Sequence, residues 1–296
     1  TRWMEADNTK PLERIRPSVL EQMQKNASIY RLPFAYTILT YAADPELLSD
    51  NKPETVLRAS EQSGEEFYPF AFNLDYSPQM AERCAIDYVD AAQGTCNFEC
   101  DSFYTQLALL RRQKAALDTL PENLDVAATC DGLLYYYVIL SADSIVYQPG
   151  RYGYPELKQS VYYAYPSDYD SGCQLNFSSM LSINTQSEQK AGARAFLSYL
   201  LSSAYQQTVP YLPVSDAVLQ EQFKQLLTEE TVTQEDIDTF YTLVDHAQKL
   251  DYPTEPIEQI IEEEMAAYLD GAIDEKTTAE RIQSRASLYL MEQKVQ

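Results

Sequence analysis

Residues 162–214 (YYAYPSDYDSGCQLNFSSMLSINTQSEQKAGARAFLSYLLSSAYQQTVPYLPV) constrain the fold more than any other stretch. They read as a strand, a loop of small polar residues, a second strand, a long amphipathic helix over Ser187–Gln206, and a return bounded by prolines. Ala193, Phe196, Leu197 and Leu200 recur at helical spacing, which predicts that all four face a core. Strands interspersed with helices come before this stretch, and helical periodicity dominates after it. That order predicts an α/β chain.

The upstream elements follow the same logic. ASIYRLPFAYTILTYAAD (27–44) predicts a strand interrupted by Pro33. Pro53 opens a helix whose Val56 and Leu57 point inward. EEFYPFAFNLDYSPQM (65–80) reads as helical at first and then as loop over Asn73–Pro78. Alternation at Ala85, Asp87 and Val89, with Gln93-Gly94 after it, predicts a hairpin. Asp101 or Ser102 caps a helix carrying Phe103, Leu107 and Leu110, and LLYYYVIL (133–140) is a β-type run. Downstream, Thr233 and Asp236 have capping-box spacing. Thr254 caps a helix closed by Gly271, and Thr277 or Thr278 opens the last one.

Chemistry is scarce. The chain holds 45 Asp and Glu against 22 Lys and Arg, a net charge of -23, which argues against a phosphate-backbone partner. Eight glycines and no G-x-G-x-x-G or G-x-x-x-x-G-K-[ST] leave no phosphate cradle. The single histidine, His246, occupies an ordinary helical position, so a His-based triad has no base. Five cysteines, Cys84, Cys96, Cys100, Cys130 and Cys173, lack the paired spacing of a zinc site. Buried thiols are the default for them, with one disulfide compatible with an oxidising compartment. Neither a metal nor a cofactor is expected, and no enzyme chemistry. Glu262–Glu264 reads as a solvated helix face, and Asp168 and Asp170 lie in a loop where carboxylates form turns or meet hydroxyl groups. Thr1–Lys10 has no apolar core of a secretory signal.

Five segments resemble, in order, motifs of the extracellular solute-binding proteins of bacterial ABC importers, the carbohydrate-type family 1 that includes maltose-binding protein. IYRLPFAYTILTYAAD (29–44) is similar to the "G-K-x-Y-x-L-P" entry to the hinge, with Asn26-Ala27-Ser28 replacing the usual Asp-Gly-Lys. VDAAQGTCNFECDSFYTQLALL (89–110) is similar to "D-x-x-x-G-x-x-x-F-x-S-x-x-F-x-x-L-L". AYPSDYDSG (164–172) resembles the "G-Y-P-x-x-D-G-x-G" loop, with Ala164 and Ser171 in place of glycines. LSINTQSEQKAGARAFLSYLLSSAYQQ (181–207) followed by LPV resembles "a-I-s-x-x-S-x-x-x-x-A-x-x-F-l-x-x-L-l-s-x-x-x-Q … l-P-v". Residues 258–293 resemble the C-terminal helix pair of Gram-positive members. The family carries a further βαβ-containing segment ahead of these motifs. Its absence implies a chain truncated at the N-terminus or a divergent member.

The resemblance implies a periplasmic-binding-protein-like type II fold of two lobes. Residues 1–40 would form part of lobe 1, 41–163 lobe 2, and 164–250 the return to lobe 1, with the 251–296 helices on lobe 2. It implies a ligand cleft, a sugar-type small molecule, an ABC permease partner, and an extracellular cell-surface location held by a lipid anchor outside this segment. Positions matching cleft-lining motifs are Phe34, Tyr36, Asn73, Asp75, Tyr76, Tyr135, Tyr137, Asp168 and Asp170. Trp3 is the only tryptophan, so Tyr takes the stacking role or the ligand is not a classical oligosaccharide. The rival reading is a surface interaction or adhesion module on the same fold that has lost small-ligand binding.

Overall fold

Pro33 cannot donate to a β-ladder, and the first long strand starts just beyond it. The computed structural model describes residues 11–25, 28–29, 31–64, 66–68, 77–90, 93–118, 132–147, 160–168, 173–178, 180–247 and 255–294. The first half comprises α1 (Pro17–Gln22), β1 (Gln24–Lys25), β2 (Ser28–Ile29), β3 (Ala35–Ala43), α2 (Pro53–Ser63), β4 (Glu66–Tyr68), α3 (Ser77–Tyr88), β5 (Val89–Asp90), β6 (Thr95–Cys96), α4 (Asp101–Leu117) and β7 (Gly132–Ile139). Then come β8 (Val161–Tyr163), β9 (Gln174–Ser178), α5 (Lys190–Leu200), α6 (Ser203–Gln206), β10 (Leu212–Pro213), α7 (Asp216–Thr228), α8 (Gln234–Asp245), α9 (Glu255–Leu269) and α10 (Glu275–Lys294). Two compact units result, one of residues 1–40, 137–148 and 172–249, the other of 41–136, 149–171 and 250–296. The chain passes between them within β3 and within β7.

In the first unit, β9 runs antiparallel to the start of β3, from Ala35 opposite Ser178 to Leu39 opposite Gln174. β10 also pairs with β3 at Tyr36 and Ala35. α7 and α8 meet through Phe223 and Phe240, rings 4.9 Å apart, with Val218, Leu219, Ile237 and Val244 buried around them. The predicted capping box starts α8. Thr233 Oγ1 accepts from the Asp236 N–H at 3.2 Å, and Asp236 Oδ2 accepts from the Thr233 N–H at 2.8 Å.

Arg16 ties the segment ahead of α1 to this helical pair. Its Nε donates to Asp245 Oδ1 at 2.7 Å and its NH2 to Oδ2 at 2.5 Å, while its guanidinium lies 4.2 Å from the centre of the Tyr241 ring. Ser18 Oγ adds a bond to Asp245 at 2.6 Å. The Arg16 bonds hold the Asp245 carboxyl below the usual carboxylate range, with Ser18 assisting against partial burial. A depressed folded-state pKa gives stability that is present above the unfolded value and lost as pH falls through the folded one. Asp245→Asn is therefore expected to cost about 1 kcal/mol at neutral pH, a figure already discounted for the pair's exposure. The cost should start to shrink as pH falls below about 3.9, the unfolded value, and reach zero only below the depressed folded-state value, where the native carboxylate protonates. Urea midpoints of the two proteins across pH 2.5–7 check this.

The second unit is built on the C-terminal helices. α9 packs on α3 and α10, and α10 reaches α4 and β6. The core is a continuous cluster containing Val56, Ala81, Phe98, Phe103, Leu107, Leu134, Ile261, Met265, Ile282 and Ala286. Tyr268 donates from its hydroxyl to Leu107 O at 3.2 Å, and Arg111 lies 4.0 Å from its ring centre. Gln283 joins α10 to the β5–β6 hairpin, accepting from the Phe98 N–H at 2.7 Å and donating to Cys96 O at 3.0 Å. β8 pairs with the end of β3, and β4 runs parallel to β7.

Several expectations shift. Glu66–Tyr68 is a strand where a helix was expected, because it finds a parallel partner in β7. Ala85 and Asp87 lie in helix α3, and the hairpin is confined to Val89–Cys96. Pro78 falls in the first turn of α3, where its missing N–H costs nothing. The cap of α10 is Asp274, whose Oδ1 accepts from the Thr277 N–H at 2.8 Å, so neither Thr277 nor Thr278 is the cap. Gly271 does close α9, at φ 73°. The long helix breaks after Leu200, since Ser202 caps a new turn by accepting from the Tyr205 N–H. Leu197 and Leu200 are buried as expected, but Phe196 is 54% exposed and Ala193 only partly covered. Thr254 lies outside the described residues.

Candidate functional site

The AYPSD segment (164–168) is an irregular connection leaving β8, and its conformation is set from two sides of the second unit. Asn51, in the turn ahead of α2, donates from Nδ2 to Ala164 O at 3.2 Å and Tyr165 O at 3.1 Å. Asn51 O accepts from the Ser167 N–H at 3.2 Å. Gln106, on α4, donates from Nε2 to Pro166 O at 2.5 Å. The Tyr165 ring stands edge-on to Tyr41, centres 5.9 Å apart. Tyr165, Pro166 and Ser167 are buried, and the next residue, Asp168, is exposed. A water-accessible acidic side chain on a backbone fixed by side-chain amides is suited to meeting hydroxyl groups through hydrogen bonds.

The aromatic candidates of the first unit are differently placed. Phe34 is buried with its ring edge-on to Tyr205 at 6.4 Å, and its carbonyl accepts from Gln206 Nε2. Tyr36 is 1% exposed and packs on Phe177, and burial drives its phenol pKa upward. Tyr137 donates from its hydroxyl to Ser144 O at 2.9 Å and lies 5.2 Å from the Tyr147 ring. All three rings are thus taken up by protein neighbours. Tyr135 stands in β7 opposite Tyr68 of β4. Asn73, Asp75, Tyr76 and Asp170 lie outside the described residues.

Neither Asn51 nor Gln106 is among the candidate site residues read from the sequence. Gln106 has a readable signal, since it sits one residue before Leu107 in the stripe Phe103, Leu107 and Leu110, where a polar side chain needs a reason. Asn51 has none, because S-D-N-K-P reads as an ordinary turn.

Other sites are poor in chemistry. Cys84, Cys96, Cys100 and Cys173 are thiols, and burial pushes the Cys173 thiol up to about 12, which removes it as a nucleophile. Among the described residues no group of three His, Cys, Asp or Glu side chains is placed to hold a metal ion. His246 caps the end of α8, with Nδ1 2.9 Å from Thr242 O. An open cavity of about 560 Å³ in the first unit is lined by Arg14, Ser202, Ser215, Asp216 and Gln220 among others, with no aromatic ring. None of the described helices is long and apolar enough to cross a membrane.

No protein-family profile and no curated protein sequence matches the chain. Solved structures do. The sugar-binding protein MalE from Xanthomonas citri superimposes with a TM-score of 0.62 at 11% identity, over 99% of this chain and 79% of that one. The cyclic α-maltosyl-1,6-maltose binding protein from Arthrobacter globiformis gives 0.61 at 12% identity, over 97% and 79%. An ABC transporter solute-binding protein from Thermotoga lettingae, bound with α-D-tagatose, gives 0.60 at 11% identity, over 95% and 77%. At such identities the likeness speaks to the fold. This chain has the two-lobe type II fold of the maltose-binding-protein-like extracellular solute-binding proteins.

Proposed function

We propose that the chain is the solute-binding component of an ABC importer, acting outside the cell from a lipid anchor, and that it binds a small carbohydrate and hands it unaltered to a permease. One observation carries the reading. The chain shares its fold over 95–99% of its length with proteins described as binding maltose-type sugars and tagatose. Asp168 is the described residue best suited to meet sugar hydroxyls, and Asn73, Asp75, Tyr76, Tyr135 and Asp170 are proposed beside it. Phe34, Tyr36 and Tyr137 have their rings engaged by protein neighbours and are not proposed to stack on the ligand.

A thermal-shift and calorimetry panel of maltose, maltotriose, xylotriose and D-tagatose tests this. Ligand at about 100 times its Kd should stabilise the native state by about 2.7 kcal/mol. Asp168→Asn should weaken the binding sugar about 10- to 100-fold, the range for losing a charged hydrogen bond. No response to any sugar in a panel widened to peptides would overturn the reading in favour of an interaction module.

A further inference from the structure

Three consecutive backbone carbonyls, those of Ala164, Tyr165 and Pro166, are held by two side-chain amides, ending two residues ahead of Asp168. We propose that Asn51 and Gln106 are positioning residues for ligand binding, forming a clamp that presents the Asp168 carboxylate in one conformation. The proposal rests on the carbohydrate-binding reading above.

The segment is neither helix nor strand, and Pro166 has no N–H to join a ladder. Its carbonyls are carried into the protein by the burial of Tyr165 and Ser167, where each unpaired group is costly. Asn51 meets the first two and returns its own carbonyl to the Ser167 N–H, so one residue grips both ends of the turn. Gln106 meets the third.

Gln106 also carries a cost that points to its role. It is 1% exposed, and its Oε1 is buried without a hydrogen-bond partner. A methionine of similar size in the same apolar stripe would carry no such desolvated oxygen. What offsets the orphan acceptor is the bond from Nε2 to the loop. A loop fixed before the ligand arrives does not have to be ordered on binding, and that preserves affinity.

The clamp is tested in the full chain with Gln106→Met and Asn51→Ala, by hydrogen exchange over residues 164–168, melting temperature and affinity for whichever sugar of the panel binds the wild type. Gln106→Met should melt within about 2 °C of wild type, exchange the 164–168 amides at least about tenfold faster, and bind the sugar about tenfold more weakly. A purely structural role would move the melting temperature and leave the other two readings in place. Unchanged exchange in both variants overturns the clamp. Faster exchange with unchanged affinity overturns its role in binding. Should Asn51→Ala fail to fold, Gln106→Met alone decides. If the wild type binds no sugar, the carbohydrate reading fails and takes the binding role with it, while exchange still decides whether the two amides hold the loop.

Discussion

Gln206→Leu is expected to destabilise the first unit by about 3–5 kcal/mol, against a change within about 0.5 kcal/mol for its neighbour Gln207→Leu. Gln206 is fully buried, and its amide makes three bonds to backbone groups far apart in sequence. Nε2 donates to Phe34 O at 3.0 Å and to Leu200 O at 2.9 Å, and Oε1 accepts from the Ser215 N–H at 3.0 Å. One side chain thus joins the entry to β3, the end of α5 and the start of α7. Leucine fills similar space but leaves two carbonyls and one N–H desolvated, at about 1–3 kcal/mol each before relaxation. Gln207 is exposed and makes no such bonds. Urea unfolding of the two variants checks the contrast, and equal midpoints would remove Gln206 from this role.

The same residue shows how the motif pattern relates to physics. The sequence of residues 181–207 places a glutamine at the end of the "L-l-s-x-x-x-Q" pattern, and the structure supplies the reason a glutamine stands there. Local devices of this kind were legible in advance. The Thr233–Asp236 box, Gly271 after α9, Pro53 at the start of α2 and the apolar stripe of α4 depend on spacing alone, and all are found. Features that depend on partners were not. Ala85 and Asp87 alternate, but a two-residue alternation inside a helix looks the same as one inside a strand. Phe196 shares helical spacing with Ala193 and Leu200, yet Leu197 and Leu200 alone fill the contact, leaving the phenylalanine in water.

The aromatic candidates show a related limit of sequence patterns. β3 is buried almost throughout, so period-two alternation carries no information about which face meets a ligand. Phe34 and Tyr36 sit at motif positions and still serve packing. Asp168 is exposed, as expected of an acidic residue in a polar loop with no packing role to fill. Its supports were hidden. Asn51 precedes the loop by more than a hundred residues, and only the fold brings the two together.

Phe103→Ala should cost the second unit about 3–5 kcal/mol, and its effect should extend to the loop bearing Asp168. Phe103, Phe98 and Tyr88 form a closed set of rings, with centres 5.1 Å apart for Tyr88–Phe103, 5.2 Å for Phe98–Phe103 and 5.7 Å for Tyr88–Phe98. Both phenylalanines are fully buried, so truncating one leaves a cavity that two rings and a helix cannot easily close. Phe103 lies one turn before Gln106 on α4 and fixes that helix against the core. If α4 shifts, the Gln106 bond to Pro166 O lengthens and the 164–168 amides exchange faster. Phe103→Leu keeps most of the volume and should cost less than half as much, with the loop left protected. Because the three rings share contacts, Phe98→Ala combined with Phe103→Ala should cost less than the two changes summed. Full additivity in urea unfolding would show that the rings act separately. Loop exchange unchanged in Phe103→Ala would show that α4 holds Gln106 without help from the aromatic core.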